Sequence, residues 1–194
     1  SLGRIIMNKT AIIIPSRLDA LRLPNKPLKL INNKEMILHV YEAAKKTNTG
    51  EVYVATPDQK IIDIIISNGG KAVLTSLNHQ TGTDRIYEVF KTKLKSEPNV
   101  IVNLQGDMPN IDPQAITDLV SYMHKDQCDI GTLASSFSSE SELIDENNVK
   151  VSVKDKLATN IFQKATDFFR AGVKNYKNFY HHVGIYAFTN KALV

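Results

Sequence analysis

Apolar residues along the first half of the chain fall into short blocks with two kinds of spacing. Residues 10–15, TAIIIP, form a near-continuous apolar run that ends at a proline. Such a run predicts a strand buried on both faces, as in a parallel sheet. Further strands are predicted at residues 51–55, 71–75 and 100–104. Between these strands, apolar residues recur every three or four positions, which predicts helices at 36–46, 59–67 and 84–94.

Strands that alternate with helices in this way are typical of βαβ units. We therefore expect an α/β fold with a mostly parallel, Rossmann-like sheet and helices on both faces. The second half has apolar blocks at 129–137, 149–153 and 182–188 with less helical spacing between them, which predicts mixed or antiparallel strands. We expect a single domain over residues 7–194, with residues 1–6 a cloning remnant in front of Met7.

Composition and charge narrow the class of protein. The 194 residues are 42% hydrophobic, but no apolar run approaches the roughly 18–20 residues of a membrane span, so no membrane partner is expected. A single cysteine, Cys128, excludes an internal disulfide and is typical of a reducing cytoplasm. Lys and Arg total 24 against 20 Asp and Glu. These cations are scattered, which makes nucleic acid the weakest of the alternative partners.

The loop that follows the first strand carries the first candidate chemistry. Between Pro15 and Pro27 it holds three cations, Arg17, Arg22 and Lys26. The planar guanidinium of arginine, with its forked N–H donors, and the compact ammonium of lysine both suit phosphate oxygens. For all three to meet one ligand the loop must curl, and Asn25, which tolerates a left-handed conformation, allows a tight turn before Lys26. The loop thus predicts a phosphate cradle, with a solvated basic loop as the alternative.

A carboxylate stands just past the fourth strand. Asp107 follows Gln105 and Gly106 at the end of the run at 100–104. In an open parallel sheet, ligands bind beyond the carboxyl ends of the strands, so the cationic loop and Asp107 are expected at the same edge. A carboxylate there suits Mg²⁺ shared with substrate phosphates. A simple turn aspartate is the alternative.

Five segments in chain order carry a family resemblance. They are residues 13–28 (IIPSRLDALRLPNKPL), 79–85 (HQTGTDR), 102–109 (VNLQGDMP), 147–151 (NNVKV) and 182–186 (HVGIY). Together they resemble motifs of the CMP-Kdo synthetases, the 3-deoxy-manno-octulosonate (Kdo) cytidylyltransferases, whose fold is of the nucleotide-diphospho-sugar transferase type. The resemblance implies transfer of CMP from CTP to Kdo, giving CMP-Kdo and pyrophosphate for lipopolysaccharide biosynthesis, by a cytoplasmic homodimer.

The resemblance also assigns roles to residues. It implies a nucleotide site made of Pro15, Ser16, Arg17, Arg22, Lys26, Thr81, Gly82, Thr83 and Arg85. It implies a sugar-acid site made of Gln105, Lys164, His182 and Tyr186. Arg17, Lys26 and Asp107 are the implied catalytic groups, and Asp107 the implied Mg²⁺ ligand. Two of these have plainer alternatives, because His182 also fits a structural histidine and Tyr186 a core residue.

Several positions depart from the family pattern. Ala20 stands where the family usually has a serine, and Lys164 where it has an arginine. The family usually has an aspartate directly after the Ala-Thr of the second strand; here Pro57 holds that position and Asp58 comes one residue later. Lysine keeps the charge but loses the bidentate fork. The family continues beyond the position of Val194 with a second metal-binding aspartate, so we expect such a tail to be missing from this sequence. The alternatives are a CMP-sialic-acid-type cytidylyltransferase and a degenerate, non-catalytic nucleotide-binding homologue.

Overall fold

The structure, a computed structural model, describes residues 9–19, 24–125, 128–158, 162–172 and 178–194. Contacts between Cα atoms group the chain into two units. The first unit comprises Ser1–Gly131 and Ile185–Val194, and the second comprises Thr132–Gly184. This grouping does not test the expected single domain over residues 7–194, which stays a prediction.

The described elements follow the predicted alternation through the first half of the chain. The strands are β1 (Thr10–Pro15), β2 (Leu30–Ile31), β3 (Lys34–Glu35), β4 (Glu51–Thr56), β5 (Ala72–Leu74), β6 (Val100–Leu104), β7 (Ile130–Ser135), β8 (Lys150–Val153), β9 (Ala165–Phe169) and β10 (Phe179–Thr189). The helices are α1 (Met36–Lys46), α2 (Gln59–Ser67), α3 (Gly82–Thr92), α4 (Pro113–Lys125), α5 (Glu140–Ile144) and α6 (Asn190–Leu193). A 3-10 turn covers Lys26–Leu28.

The sheet of the first unit runs in the order β5-β4-β1-β6-β10. Its first four strands are parallel, whereas β10 lies antiparallel to β6, with Ile185 opposite Leu104. The predicted mostly parallel sheet with antiparallel additions is thus confirmed. Because β1, β4 and β6 are parallel, the segments that follow them all emerge at one edge of the sheet.

The core explains why β1 is a continuous apolar run. On one face, Ile13 packs with Ile101 and with Ile86, Val89 and Phe90 of α3, all fully buried. Side chains alternate across a strand, so the neighbours of Ile13 point to the opposite face, and they are fully buried as well. Helices α1 and α4 contact each other and the strands β4 and β6. Each such side chain stabilises the fold by roughly 1.5–3 kcal/mol relative to leaving it exposed.

Two features of the helices differ from the predictions. Helix α3 begins at Gly82, two residues before the predicted start at Asp84, which would have made Thr83 the cap; the Thr81 hydroxyl instead accepts the Asp84 N–H at 3.1 Å. Helix α4 goes beyond the predicted elements. Its buried face has helical spacing, at Ile116, Leu119, Val120 and Met123. That signal is present in the sequence, but it begins inside a turn-rich stretch with two prolines. None of the described helices is both long and apolar enough to cross a bilayer.

The second unit is built on antiparallel pairs, as predicted for the second half of the chain. Strand β8 pairs with β9 on one side and with the first part of β10 on the other. Lys150 of β8 is fully buried, and its Nζ donates to the backbone carbonyls of Asp145 and Arg170. A buried ammonium must find such acceptors, because an unpaired charge in the interior is very costly.

Candidate active site

A cavity of about 450 Å³ lies at the carboxyl edge of β1 and β6. Its size is within the range of small-molecule sites. The lining includes the following predicted site residues: Pro15, Ser16, Arg17, Lys26, Thr81, Gly82, Thr83, Arg85, Gln105, Asp107 and Tyr186. All belong to the first unit. The predicted nucleotide residues other than Arg22, the predicted metal ligand and part of the predicted sugar site therefore share one cavity.

Three predicted residues are not among this lining. Arg22, like Ala20, falls outside the described residues. Lys164 and His182 belong to the second unit. Their roles toward the nucleotide and the sugar acid stay predictions.

The cationic loop curls as the sequence predicts. Asn25 adopts a left-handed conformation with φ 61° and ψ 13°. Its N–H donates to the carbonyl of Leu18 at 2.9 Å, which joins the two sides of the loop. At the start of the loop, the Ser16 N–H donates to the Ala55 carbonyl of β4 at 2.9 Å. The two cations at 17 and 26 are thereby brought to one cavity.

The carboxylate of Asp58, which lies outside the cationic loop, binds the loop backbone. Asp58 stands at the N-terminus of α2, where its side chain is expected to cap the helix. Instead its Oδ2 accepts the Leu18 N–H at 2.8 Å, and the Ile61 and Ile62 N–H groups are satisfied by the Asp58 backbone carbonyl. The side chain thus ties the cationic loop to the junction of β4 and α2.

Lys26 and Asp107 meet at the edge of the sheet. The Lys26 Nζ lies 3.5 Å from the Asp107 Oδ2. The two side chains are 32% and 48% exposed, so both remain open to a ligand. A cation and a carboxylate therefore stand side by side at the edge of the sheet where the topology predicts them.

Arg85 presents a second, more rigid cation. Its side chain is almost fully buried, and its Nη1 donates to the Thr75 hydroxyl and, at 2.8 Å, to the Ser76 carbonyl. Burial lowers the pKa of the Arg85 guanidinium, and the nearby charge of Arg17 lowers it further. The unperturbed pKa lies so far above neutrality that the group stays charged. Arg85 and Arg17 make this side of the cavity positive.

Three buried polar atoms of the lining have no hydrogen-bond partner among the described residues: the Ser16 Oγ, the Asn103 Oδ1 and the His79 Nε2. The His79 Nε2 does lie 3.5 Å from a carboxylate oxygen of Glu88, whereas Ser16 and Asn103, which are only 7% and 5% exposed, have no such neighbour in the described part of the chain. Asn103 is a lining residue that the sequence reasoning missed. Its signal is a single amide inside the otherwise apolar strand VIVNL. Buried polar groups are almost always paired, so unpaired ones in a cavity indicate ligand contacts.

Strand β10, the antiparallel neighbour of β6, contributes the phenol of Tyr186 to the cavity. Tyr186 is in register with Asn103 across the β6–β10 pair, so both side chains lie on the same face of the sheet. Burial raises the pKa of the Tyr186 phenol, which therefore stays protonated at neutral pH. A protonated phenol in this position can both donate and accept a hydrogen bond.

His182 is held within the second unit by neighbours of its own. Its Nε2 lies 2.9 Å from the Thr132 hydroxyl, and its ring meets Phe168 edge to face. The adjacent His181 stacks on Phe137 instead, as expected for consecutive residues on opposite faces of a strand. Burial, followed by the charge of His181, lowers the pKa of His182, which favours the neutral ring at neutral pH.

The donor set at the edge can be compared with what Mg²⁺ prefers. Among the described lining residues, Asp107 is the one carboxylate. No group of three or more His, Cys, Asp or Glu side chains within the described ranges could hold a metal ion. This fits a hard ion held by one carboxylate together with substrate phosphates and water, and does not fit an all-protein cage.

Comparison with known proteins agrees with this geometry. A sequence profile described as cytidylyltransferase matches residues 11–194. A 3-deoxy-manno-octulosonate cytidylyltransferase of Brucella ovis is 38% identical over 187 residues, covering 95% of this chain and 74% of the relative. The relative of the same name from Brucella anthropi is also 38% identical over 187 residues, with 75% of its length covered.

Solved structures show the same likeness. A CMP:2-keto-3-deoxy-manno-octonic acid synthetase, solved in complex with CTP, superposes with a TM-score of 0.84 at 37% identity over 96% of this chain and 76% of its own. A cytidylyltransferase from Leptospira borgpetersenii, 21% identical, superposes with a TM-score of 0.62 over 96% of this chain and 63% of its own, which shows the fold alone.

The parallel sheet, the cavity beyond its carboxyl edge and the cations gathered there define a nucleotide-binding enzyme of the α/β class. Within that class, the profile match and the 38% identity over most of the chain show that it belongs to the cytidylyltransferase family.

Proposed function

We propose that this protein transfers CMP from CTP to the anomeric hydroxyl of Kdo, giving CMP-Kdo and pyrophosphate for lipopolysaccharide biosynthesis. The observation that carries the proposal is the meeting of Arg17, Lys26 and Asp107 around one cavity in a chain with Kdo cytidylyltransferase relatives. In the reaction, the sugar oxygen forms a bond to the α-phosphorus and the bond from the α-phosphorus to the pyrophosphate oxygen breaks. The hydroxyl proton leaves to solvent.

The cations act on the triphosphate. Arg17 and Lys26 orient the phosphate chain and balance the charge that grows on the leaving pyrophosphate. Arg85, whose guanidinium is hydrogen-bonded to Thr75 and Ser76, adds a fixed positive charge to the same cavity. The same cations also bind CTP in its ground state, so they speed the reaction only to the extent that their contacts strengthen in the transition state.

Asp107 is the proposed ligand of Mg²⁺. The ion supplies Lewis-acid polarisation of the phosphoryl group when it is bound. The Lys26 Nζ, 3.5 Å from the Asp107 Oδ2, places a cation next to the proposed metal ligand.

The sugar acid is proposed to meet Gln105 and Tyr186 of the same cavity. The Tyr186 phenol can bond a sugar hydroxyl in either direction because it stays protonated. We also propose, from the family resemblance, that Lys164 and His182 bind the sugar acid. A neutral His182 suits an uncharged sugar hydroxyl, and Lys164 suits the sugar carboxylate.

We further propose that the enzyme works as a cytoplasmic homodimer. The support is the family resemblance for the dimer, and the single cysteine together with a nucleotide substrate for the compartment. Light scattering of the purified protein at micromolar concentration tests the dimer.

The function is tested by the release of pyrophosphate from CTP and Mg²⁺ with Kdo, with N-acetylneuraminate, and without an acceptor. Release with Kdo alone, together with a product of the mass of CMP-Kdo, is expected. Release with N-acetylneuraminate in place of Kdo would identify the CMP-sialic-acid-type enzyme. CTP binding without release for either acid would identify a non-catalytic homologue.

A further inference from the structure

Asn103 is a buried amide that faces the cavity unpaired. It lies on β6, is 5% exposed, and its side-chain oxygen has no hydrogen-bond partner among the described residues. Strand β6 is otherwise apolar, so the fold itself has no need of an amide at this position. An unpaired buried carbonyl lowers the stability of the folded state, unless a ligand supplies the missing hydrogen bond.

A second asparagine of the same unit shows what a structural role looks like. The Asn190 side chain donates to the carbonyl of Ser96 at 2.6 Å and to that of Pro98 at 2.9 Å. Those bonds join the start of α6 to the turn before β6. Asn103 makes no comparable side-chain contact within the described residues, so a structural tie does not explain it.

The position of Asn103 places it away from the Lys26–Asp107 pair. It lies inside β6, in register with Ile13 of β1, whereas Asp107 lies beyond the end of the strand. A Cβ added to Gly82 would lie 4.0 Å from the Asn103 Nδ2 and 3.1 Å from the Pro15 ring. The amide is therefore at the floor of the cavity, beside the first turn of α3.

The chemistry of an unpaired carbonyl selects its ligand. Such an oxygen only accepts hydrogen bonds, so its partner must carry an N–H or O–H. Phosphate and carboxylate oxygens only accept when they are ionised. In a nucleoside triphosphate, the donors are the hydroxyls of the ribose and the amino group of the base. The hydroxyls of the sugar acid are donors as well, but Asn103 lies beside Gly82, which the resemblance assigns to the nucleotide. The unpaired oxygen therefore points to the nucleoside part of the nucleotide.

We propose that Asn103 is a specificity-determining residue whose side-chain oxygen accepts a hydrogen bond from the nucleoside part of the bound nucleotide. The inference rests on the proposed use of CTP. Asn103 fixes the nucleoside at the floor of the cavity while Lys26 and Asp107 act on the phosphates at its edge. The Ser16 hydroxyl, also buried and unpaired, flanks the same space.

The test is Asn103→Leu, which keeps the approximate volume and removes the amide. Binding of CTP, 2′-deoxy-CTP, 3′-deoxy-CTP and UTP is measured by titration calorimetry without an acceptor, in wild type and variant. The variant is expected to bind CTP about tenfold more weakly, the value of one neutral hydrogen bond. One of the three analogues lacks the hydroxyl or amino group that bonds Asn103. That analogue is expected to bind wild type and variant with nearly the same affinity. The unliganded variant is expected to melt at the same temperature or higher, because no intramolecular hydrogen bond is lost.

Asn190→Ala is the matched control, since it removes structural hydrogen bonds and is expected to lower the melting temperature while leaving the pattern of nucleotide affinities unchanged. If Asn103→Leu does not fold, Asn103→Ala carries the same comparison. Unchanged CTP affinity, an equal loss for all four nucleotides, or a rise only in the KM for Kdo would each overturn the proposal. Turnover of the wild type with CTP and Kdo is measured alongside, so that failure of the proposed function is distinguished from failure of this inference.

Discussion

The Lys26–Asp107 pair is open to solvent, and this governs what it can contribute. An exposed ion pair at 3.5 Å stabilises a fold by about 0–1 kcal/mol, because water screens both charges. Each side chain can therefore give up its contact with the other and bind a ligand instead, at little cost in free energy. That property suits groups that must release their mutual contact when a triphosphate and a metal ion arrive.

Lys26→Ala is expected to lower kcat by about 100- to 1000-fold, which corresponds to about 2.7–4 kcal/mol of transition-state stabilisation. The physical reason is the loss of a charge aimed at the leaving pyrophosphate. Steady-state release of pyrophosphate measures the effect. Lys29→Ala is the control, since Lys29 is exposed, belongs to the same segment and does not line the cavity. Near-normal turnover of Lys26→Ala would contradict the proposed role.

Asp107→Asn is expected to raise the Mg²⁺ concentration needed for half-maximal rate by at least about tenfold. A neutral amide oxygen is a poorer ligand for a hard ion than a carboxylate. The measurement is the rate of pyrophosphate release as Mg²⁺ is titrated at saturating CTP. Asp112→Asn serves as the control, because Asp112 accepts the Gln114 N–H at the start of α4 and asparagine caps a helix equally well. An identical Mg²⁺ dependence in both variants would rule out the metal role of Asp107.

Individual side chains were predictable where a charge follows a strand. Arg17 and Lys26 lie in the loop that follows β1, Asp107 follows β6, and the topology of a parallel sheet brings such residues together. Asn103 was not predictable in this way, because it lies inside β6 and its proposed role rests on the missing hydrogen bond of its side-chain oxygen. Asp58 was hidden for a related reason: a residue at a helix start predicts a cap, not a bond to a distant loop.

Among the connecting segments, the cationic loop owes its shape to contacts with its neighbours. Its inner bond from Asn25 to Leu18 closes the curl, and the bond from Leu18 to Asp58 fixes the curl against α2. The first bond is local and the second is made by a residue far along the chain. A loop held on both sides loses less conformational entropy when it binds a ligand.

Asp58→Ala is expected to raise the KM for CTP about fivefold with a smaller change in kcat, because the loop loses its tether while its cations remain. Asp58→Asn keeps an acceptor oxygen and is expected to recover most of the affinity. Initial rates over a range of CTP concentrations give both constants. Asp63→Ala, an exposed aspartate on the same helix, is the control. A fall in kcat alone in Asp58→Ala would contradict a positioning role.

Gly50→Ala is expected to destabilise the fold by about 3 kcal/mol and to lower the melting temperature by roughly 6–12 °C. A Cβ at Gly50 would overlap the backbone carbonyl of Thr10, where β1 and β4 begin side by side. Gly69→Ala is the matched control. Gly69 has φ 78° with open space around it, so only backbone strain of about 1–2 kcal/mol is expected there. Thermal melts followed by circular dichroism compare the two, and equal losses would contradict the argument.

Several elements match their predicted bounds because their signals are complete within the sequence. Strand β1 and helices α1 and α2 each have an apolar pattern that is ended by a local break. The start of α3 was misplaced because two threonines flank Gly82, and only the geometry of the turn selects Thr81 as the cap. Helix α4 was missed because proline-rich turn residues precede its apolar face.

For the protein as a whole, we expect stability to decrease as the pH falls from 7 toward 5. Burial lowers the pKa of both His124 and His182 below the ordinary value of 6.5. Around and below pH 6.5 the unfolded chain therefore binds more protons than the folded chain, and acid favours unfolding. Urea midpoints measured between pH 7.5 and 5.5 test this. His124→Gln should flatten the slope, because one of the two histidines is removed. A midpoint that is constant or rises on acidification would contradict the expectation.

At this scale, the class of fold was predictable but the order of its strands was not. Short apolar runs that alternate with segments of 3.6-residue periodicity indicate parallel βαβ units. They do not state which strand lies beside which, because that choice depends on pairings between distant segments. The antiparallel insertion of β10 next to β6, and with it the place of Tyr186 in the cavity, emerges only from the folded structure.

The insertion of β10 also bears on how the protein folds. Strands β1, β4 and β6 can assemble from βαβ units that are close in the sequence. Strand β10, in contrast, must return from the far end of the chain to pair with β6. Such non-local closure costs loop entropy before its contacts form, so we expect this pairing to form late in folding. Because Tyr186 of β10 belongs to the cavity lining, the cavity is complete only after this pairing, and we expect CTP to bind the folded protein more tightly than a form in which β10 is unpaired. Bound CTP should therefore slow unfolding while leaving the refolding rate nearly unchanged.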